Sequence, residues 1–142
     1  MTEPGSLPDG FLDQYKLGVE MADRVSARRA TANGFFVTVQ SALVTAFGFS
    51  EHDRWPLAVA GIVVAAAWWL SLRSYRMLNG AKFEVINKME ERLPAAPYKD
   101  EWAILDRKDG PLHKRYAALS FVEQVVPLAF MALNVGLLLT QL

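Results

Sequence analysis

Few residues in this chain belong to types that do covalent chemistry, and their spacing does not assemble them. Cysteine is absent, which removes thiol nucleophiles, disulfides and thiolate metal ligands. The two histidines, His52 and His113, fall in different charged segments and read as solvated loop residues, not as a metal pair. No G-x-G-x-x-G or P-loop pattern is present, and no serine or histidine has the two further partners that nucleophilic catalysis needs. The expectation is therefore a protein that is not an enzyme, with no catalytic, cofactor-binding or metal-binding residue. Two sets of residues still stand out by position. Thr38, Gln40, Ser41, Thr45 and Glu123 are polar groups inside otherwise apolar blocks, where they can hydrogen-bond between helices or line a wet path. Arg24, Arg28, Arg29, Arg73 and Arg76 flank two of those blocks, suited to a basic pore mouth, to anionic headgroups, to a nucleotide, or to topology anchoring beside Glu20, Asp23 and Glu84.

The elements that position these residues follow from where the apolar side chains lie. The 142 residues are 52% hydrophobic, with 15 basic and 15 acidic side chains. A soluble domain is about 45 to 50% apolar and spreads those residues in short periodic patches. Here they collect in three blocks separated by strongly charged sequence, which points to a membrane. Residues 34–50 form the first span, free of charge although polar in places. Residues 55–72 form the clearest span, about 27 Å long as a helix, with Trp55 at one end and Trp68 and Trp69 at the other. Residues 116–142 form the third, with a kink expected at Pro127. Glu123 lies about two turns into it, and a charge at the bilayer centre costs about 2.5 to 3.5 kcal/mol.

Between and before the spans the charged segments keep a helical pattern. Residues 1–9 contain no basic n-region or apolar h-region and read as a disordered tail. A helix over 10–33, capped by Asp9 or Ser6, carries an apolar stripe of Leu12, Tyr15, Val19 and Ala22. Residues 51–54 make a tight hairpin with Asp53 as a cap and Pro56 in the next first turn. Residues 73–93 extend the second span, with the stripe Tyr75, Leu78, Phe83, Ile86, Met89 and Leu93 expected to pack between subunits. Residues 94–115 are a connector: Pro94 to Pro97 stops the helix, Tyr98 to Asp106 forms a short one with Trp102 and Leu105 inward, and Gly110-Pro111 breaks again. The fold expected is an all-α membrane protein of three transmembrane helices, the first two extended into a cytoplasmic helical bundle.

Charge sets the topology. Of the basic residues only Arg54 lies between the first two spans, and the rest precede the first span or lie between the second and third. The positive-inside rule then places the amino terminus in the cytoplasm and the carboxyl terminus outside. Partly uncovered amphipathic rods call for self-association, and the balance of acidic against basic residues speaks against nucleic acid.

The order QYKLGVEMADRVSARRATANGFF, then SYRMLNGAKFEVINKMEERLPAAPYKDEW, then a terminal apolar helix with EQVVP, resembles the RipA-type family of small octameric bacterial membrane proteins. The resemblance runs from about Leu12 to Leu139. It implies a bacterial inner-membrane homo-oligomer, an octamer, whose cytoplasmic region is built from the helix extensions, and it supplies no catalytic residues. A looser likeness joins the aromatic, arginine-rich entry of the first span to two-span effector domains of bacterial nucleotide-signalled defence; the third span departs from that pattern. Two functions follow as expectations: a channel or pore-like assembly, or a non-conducting scaffold that regulates an envelope, stress or defence pathway through a cytoplasmic protein partner.

Overall fold

Among the described residues four helices account for most of the chain, and no strand occurs. The structure, a computed structural model, describes residues 8–105 and 111–141, with side chains at all of these except 102, 105 and 111–120. Helix α1 spans Phe11–Phe49, α2 Trp55–Glu90, α3 Pro97–Leu105 and α4 Pro111–Leu139. Three of them, α1, α2 and α4, are long and apolar enough to cross a membrane. The expected all-α architecture with three spanning helices is thus the observed one. Helix α2 lies in the middle, packed against α1, α3 and α4.

Both long rods are continuous. At 39 residues α1 extends about 58 Å, roughly twice the hydrocarbon thickness, so half of it stands outside the bilayer. Gly34 does not interrupt it, and nothing lies near a side chain added there. The faces that turn inward recur at helical spacing along the whole length. On α1 the buried or half-buried set includes Phe11, Tyr15, Gly18, Ala22, Val25, Arg29, Asn33, Phe36, Gln40 and Phe47. On α2 it includes Ala58, Gly61, Ala65, Trp68, Leu72, Asn79, Ile86 and Glu90. On α1 the spacing averages close to 3.6, whereas on α2 Ala58, Ala65, Leu72, Asn79 and Ile86 keep a seven-residue repeat, the spacing of a left-handed supercoil.

Several local expectations change. Leu12 is 52% exposed, and Phe11, one residue earlier, takes the inward position at 7%. The stripe is Phe11, Tyr15, Gly18, Ala22 and Val25, because Gly18 allows the Ile86 side chain to approach α1 (3.7 Å from a built Cβ). Asp9 does not cap α1: Gly10 precedes the helix in the left-handed region, at φ 78°, which its missing Cβ permits, and no side chain caps the end. Asp53 likewise does not cap α2. It sits at φ 43° in the hairpin, Arg54 takes the cap position without a side-chain bond, and Pro56 occupies the first turn as expected. Helix α2 ends at Glu90, three residues short of Leu93, in a turn closed by Arg92 N–H donating to Met89 O at 3.1 Å. Helix α4 continues through Pro127, which is buried. The expected inward positions of Trp102 and Leu105, the N-terminal tail up to residue 7, Ser6, Asp106 and the Gly110 break lie outside the described residues or side chains.

Outside the bilayer, the packing centres on a carboxylate. Glu90 is 1% exposed. Its Oε1 accepts from the Tyr15 hydroxyl at 2.8 Å and from the Tyr98 N–H at 3.0 Å, and its Oε2 accepts from the Lys99 N–H at 2.9 Å. Helix α3 begins with Pro97, and the preceding Ala96 has no side-chain acceptor, so its first-turn amides would otherwise be orphaned. The Glu90 charge satisfies two of them and complements the positive end of the helix dipole. One buried side chain thereby ties together α1, α2 and α3. Phe83 packs on Tyr98 at 5.7 Å between ring centres, and Arg92 lies over the Phe11 ring at 4.9 Å, closing the same end.

The Tyr15 phenol is the spectroscopic handle on this junction. Burial, then its hydrogen bond to Glu90 and the charge of that carboxylate, push its pKa from 10.0 up to about 12. A phenol raised in this way contributes stability that is complete below about pH 10 and is lost as the pH climbs through about 12. Absorbance titration of tyrosinate should lose one late-ionising phenol in Tyr15→Phe, while that of Tyr98, also raised by burial, remains. If that variant titrates like the parent, the bond to Glu90 does not form in solution.

Candidate functional site

The membrane half of the molecule is a three-helix packet whose interior contains polar layers at regular depth. At the boundary, where the charge-free run of α1 begins, Arg29 pairs with Glu123 of α4 at 3.6 Å. One turn deeper, the Trp68 indole N–H donates to Asn33 Oδ1 at 2.9 Å, and the Trp68 ring stacks on Phe36 (5.8 Å, 7° between planes) and tilts against Phe130 at 6.1 Å. Deeper again, the Gln40 amide donates to the Gly61 carbonyl at 2.8 Å, while the Asn134 amide donates to Gln40 Oε1 at 3.0 Å and to Phe130 O at 2.8 Å. At the far end Arg54 lies over the Phe47 ring at 5.8 Å. Polar groups in hydrocarbon must find partners in the protein, and each of these layers supplies them across helices.

Gly61 is fixed by that arrangement. A side chain there would collide with Asn134, whose Nδ2 lies 2.7 Å from the position of a built Cβ. The carbonyl of Gly61 accepts directly from the Gln40 amide, so the glycine makes room for the asparagine and supplies the acceptor for the glutamine.

The four polar residues of the first span thus separate into two groups. Gln40 is wholly buried inside the protomer. Thr38, Ser41 and Thr45 are exposed on the opposite face of α1, where they continue a stripe of Thr31, Gly34, Thr38, Ser41, Thr45 and Gly48 at alternating three- and four-residue spacing. All six positions are small or hydroxylic, and all six are exposed. Thr31 donates to Ala27 O at 3.1 Å and Thr38 to Gly34 O at 2.9 Å.

The five arginines are also divided. Arg24 pairs with Glu20 at 2.6 Å on the surface, Arg28 is exposed, and Arg29 belongs to Glu123. Arg73 lies over the Trp69 ring at 5.9 Å, and both Arg73 and Arg76 line a cleft of about 220 Å³ between α2 and α4. Of the expected partners, Glu84 bonds Lys88 at 2.8 Å instead, a pair in which the mutual hydrogen bond lowers the carboxyl and raises the amine. His52 is exposed in the hairpin and His113 lies outside the described side chains. Among the described residues no cluster of metal-ligating groups occurs.

In the stripe expected between subunits, Ile86 is 1% exposed, wedged against Gly18, and belongs to the protomer's own core. Phe83 meets Tyr98 within the chain. Tyr75 and Leu78 border a shallow groove with Leu70, Ser71 and Ser74, Met89 and Leu93 are half-buried, and Leu78 is 48% exposed. Among the described side chains, the large apolar residues that the protomer leaves uncovered outside the bilayer are Leu78 of that stripe together with Leu12, Leu17, Met21, Met77, Val85 and Ile104.

Residues 12–142, the three spanning helices and both aqueous extensions, match the model of the octameric membrane protein family. The chain belongs to this octameric membrane protein family. That agrees with the resemblance read from the sequence, which ran from about Leu12 to Leu139. No curated protein and no solved structure matches it. For a member of the octameric family, the uncovered faces take on meaning as surfaces that other copies can meet. The interior layers at Arg29, Asn33, Gln40, Gly61, Glu123 and Asn134 are closed within the protomer, and the outward α1 stripe is exposed on its surface.

Two of those interior residues, Asn33 and Asn134, were not singled out from the sequence. Asn134 follows Glu123 by eleven residues, three helical turns, and Asn33 precedes Gln40 by seven, two turns, so periodicity carried the signal.

Proposed function

We propose that the chain assembles as a homo-octamer in the bacterial inner membrane, amino terminus in the cytoplasm and carboxyl terminus outside, and that the ring is a channel or pore-like assembly. The carrying observation is the exposed α1 stripe Thr31, Gly34, Thr38, Ser41, Thr45 and Gly48. It runs along the membrane half without a bulky apolar side chain, whereas neighbouring faces carry Phe35 and Phe49, 63% and 85% exposed, which suit lipid or a partner helix. Turned toward a common axis, eight copies line a wall of hydroxyls and glycine backbone, and the exposed Arg24 and Arg28 ring its cytoplasmic mouth. The role is not enzymatic and uses no cofactor; its partners are other copies of itself and membrane lipids, not nucleic acid.

A non-conducting scaffold, regulating an envelope, stress or defence pathway through a cytoplasmic protein, is the second reading. It is favoured by the Thr31 and Thr38 hydroxyls, which donate to their own helix and need no water. Ion flux into liposomes containing purified protein separates the two. The channel reading expects flux that falls at least several-fold in Thr45→Leu. Absence of flux from an assembled octamer would leave the scaffold.

A further inference from the structure

The cleft between α2 and α4 is built from Trp69, Leu72, Arg73, Arg76 and Gln124, and encloses about 220 Å³. It lies where the charge-free run of α2 ends, at Arg73, beside the Glu123 layer that marks the same boundary on α4. Its chemistry is of two kinds. Leu72, 2% exposed, and the half-buried Trp69 form an apolar wall continuous with the membrane half. Arg73 and Arg76, one turn apart on α2, bring two permanent cations to its rim, and Gln124 adds an amide from α4. Arg73 is held over the Trp69 ring at 5.9 Å, which orders the guanidinium without neutralising it. Among the described residues no acidic side chain lines the cleft, and the adjacent carboxylate, Glu123, is engaged by Arg29.

We propose that this cleft binds the phosphate of an anionic glycerophospholipid. The two guanidiniums and the Gln124 amide take the phosphodiester oxygens, and the upper acyl segment lies along Trp69 and Leu72. Paired arginines bind phosphate from any source, but an apolar wall at the membrane boundary selects a phosphate that carries hydrocarbon. The inference rests on the placement of the apolar helix halves in a bilayer and is independent of whether the octamer conducts.

The test is native mass spectrometry of the full-length protein in detergent, titrated with dioleoylphosphatidylglycerol or dioleoylphosphatidylcholine, with inorganic phosphate as competitor. Phosphatidylglycerol should be retained in preference to phosphatidylcholine. The double variant Arg73→Gln, Arg76→Gln should lower its retention roughly 20- to 30-fold, at about fivefold per cation near the membrane surface. Lys88→Gln, which alters a surface pair with Glu84, should leave retention unchanged. Because Arg76 is also engaged by other groups of the chain, Gln124→Leu serves as the second variant and should weaken retention with both cations present. Equal retention of the two lipids, unchanged retention in the folded double variant, or full displacement by inorganic phosphate would each overturn the proposal. Carbonate extraction tests the bilayer placement separately, since a peripheral protein is released and a spanning one is not.

Discussion

Glu90→Ala is expected to lower the stability of the protein by about 3 kcal/mol, the scale of removing a buried charged acceptor from several donors. Three donors lose their partner at once: the Tyr15 hydroxyl and the first-turn amides of Tyr98 and Lys99. Helix α3, with nine residues and no side-chain acceptor at Ala96, cannot hold its amino-terminal end alone. Hydrogen exchange should therefore show the Tyr98 and Lys99 amides deprotected far more than those in the middle of α2. Glu90→Gln, which keeps the shape and one acceptor, should fall between the two. Should Glu90→Ala leave both the amides and the melting temperature unchanged, α3 is held by other contacts.

The second large effect belongs to the membrane half. Gly61→Ala is expected to cost about 2 kcal/mol, within the usual range for overpacking a close-packed interior. The added methyl displaces Asn134, which then loses its bond to Gln40, so α4 moves away from α2. Thermal melting in detergent should show the loss, and Gly48→Ala, where nothing lies within 4 Å, is the matched control within the protomer. The pair Gly61→Ala, Asn134→Ala should recover part of the stability by relieving the collision. A double variant no better than Gly61→Ala would mean that the glycine is needed for some other contact.

These effects bear on what the sequence discloses. The three apolar blocks and the uninterrupted runs between block and charge were legible because they depend on composition and on the absence of Gly-Pro breaks, and α1 and α2 are indeed single rods. The sorting of the polar residues was harder to see because it depends on angle. Gln40 shares its residue class with Thr38, Ser41 and Thr45, yet stands about 200° around the helix from Thr38, at 100° per residue. Only the inward run Arg29, Asn33, Phe36 and Gln40 distinguishes it. Ile86 was legible as part of an apolar stripe, but not as a residue of the protomer's own core, because the close approach of α1 depends on Gly18 in another segment. Glu90 was hidden for a different reason. A glutamate in a charged rod reads as solvated, and its partners come into reach only when the 91–96 turn brings α3 back against it.

The outward stripe of α1 as the assembly's axial wall is the central claim, and the absence of cysteine gives direct access to it. Single cysteines at Thr38, Ser41 and Thr45, each reconstituted in liposomes and treated with a membrane-impermeant, charged thiosulfonate, should be modified, and modification should block ion flux. A cysteine at Val63, 62% exposed on α2 and therefore not on the stripe, should be left untouched. If all three stripe positions resist the reagent as Val63 does, the stripe faces lipid or a dry helix interface, and the axial wall lies elsewhere.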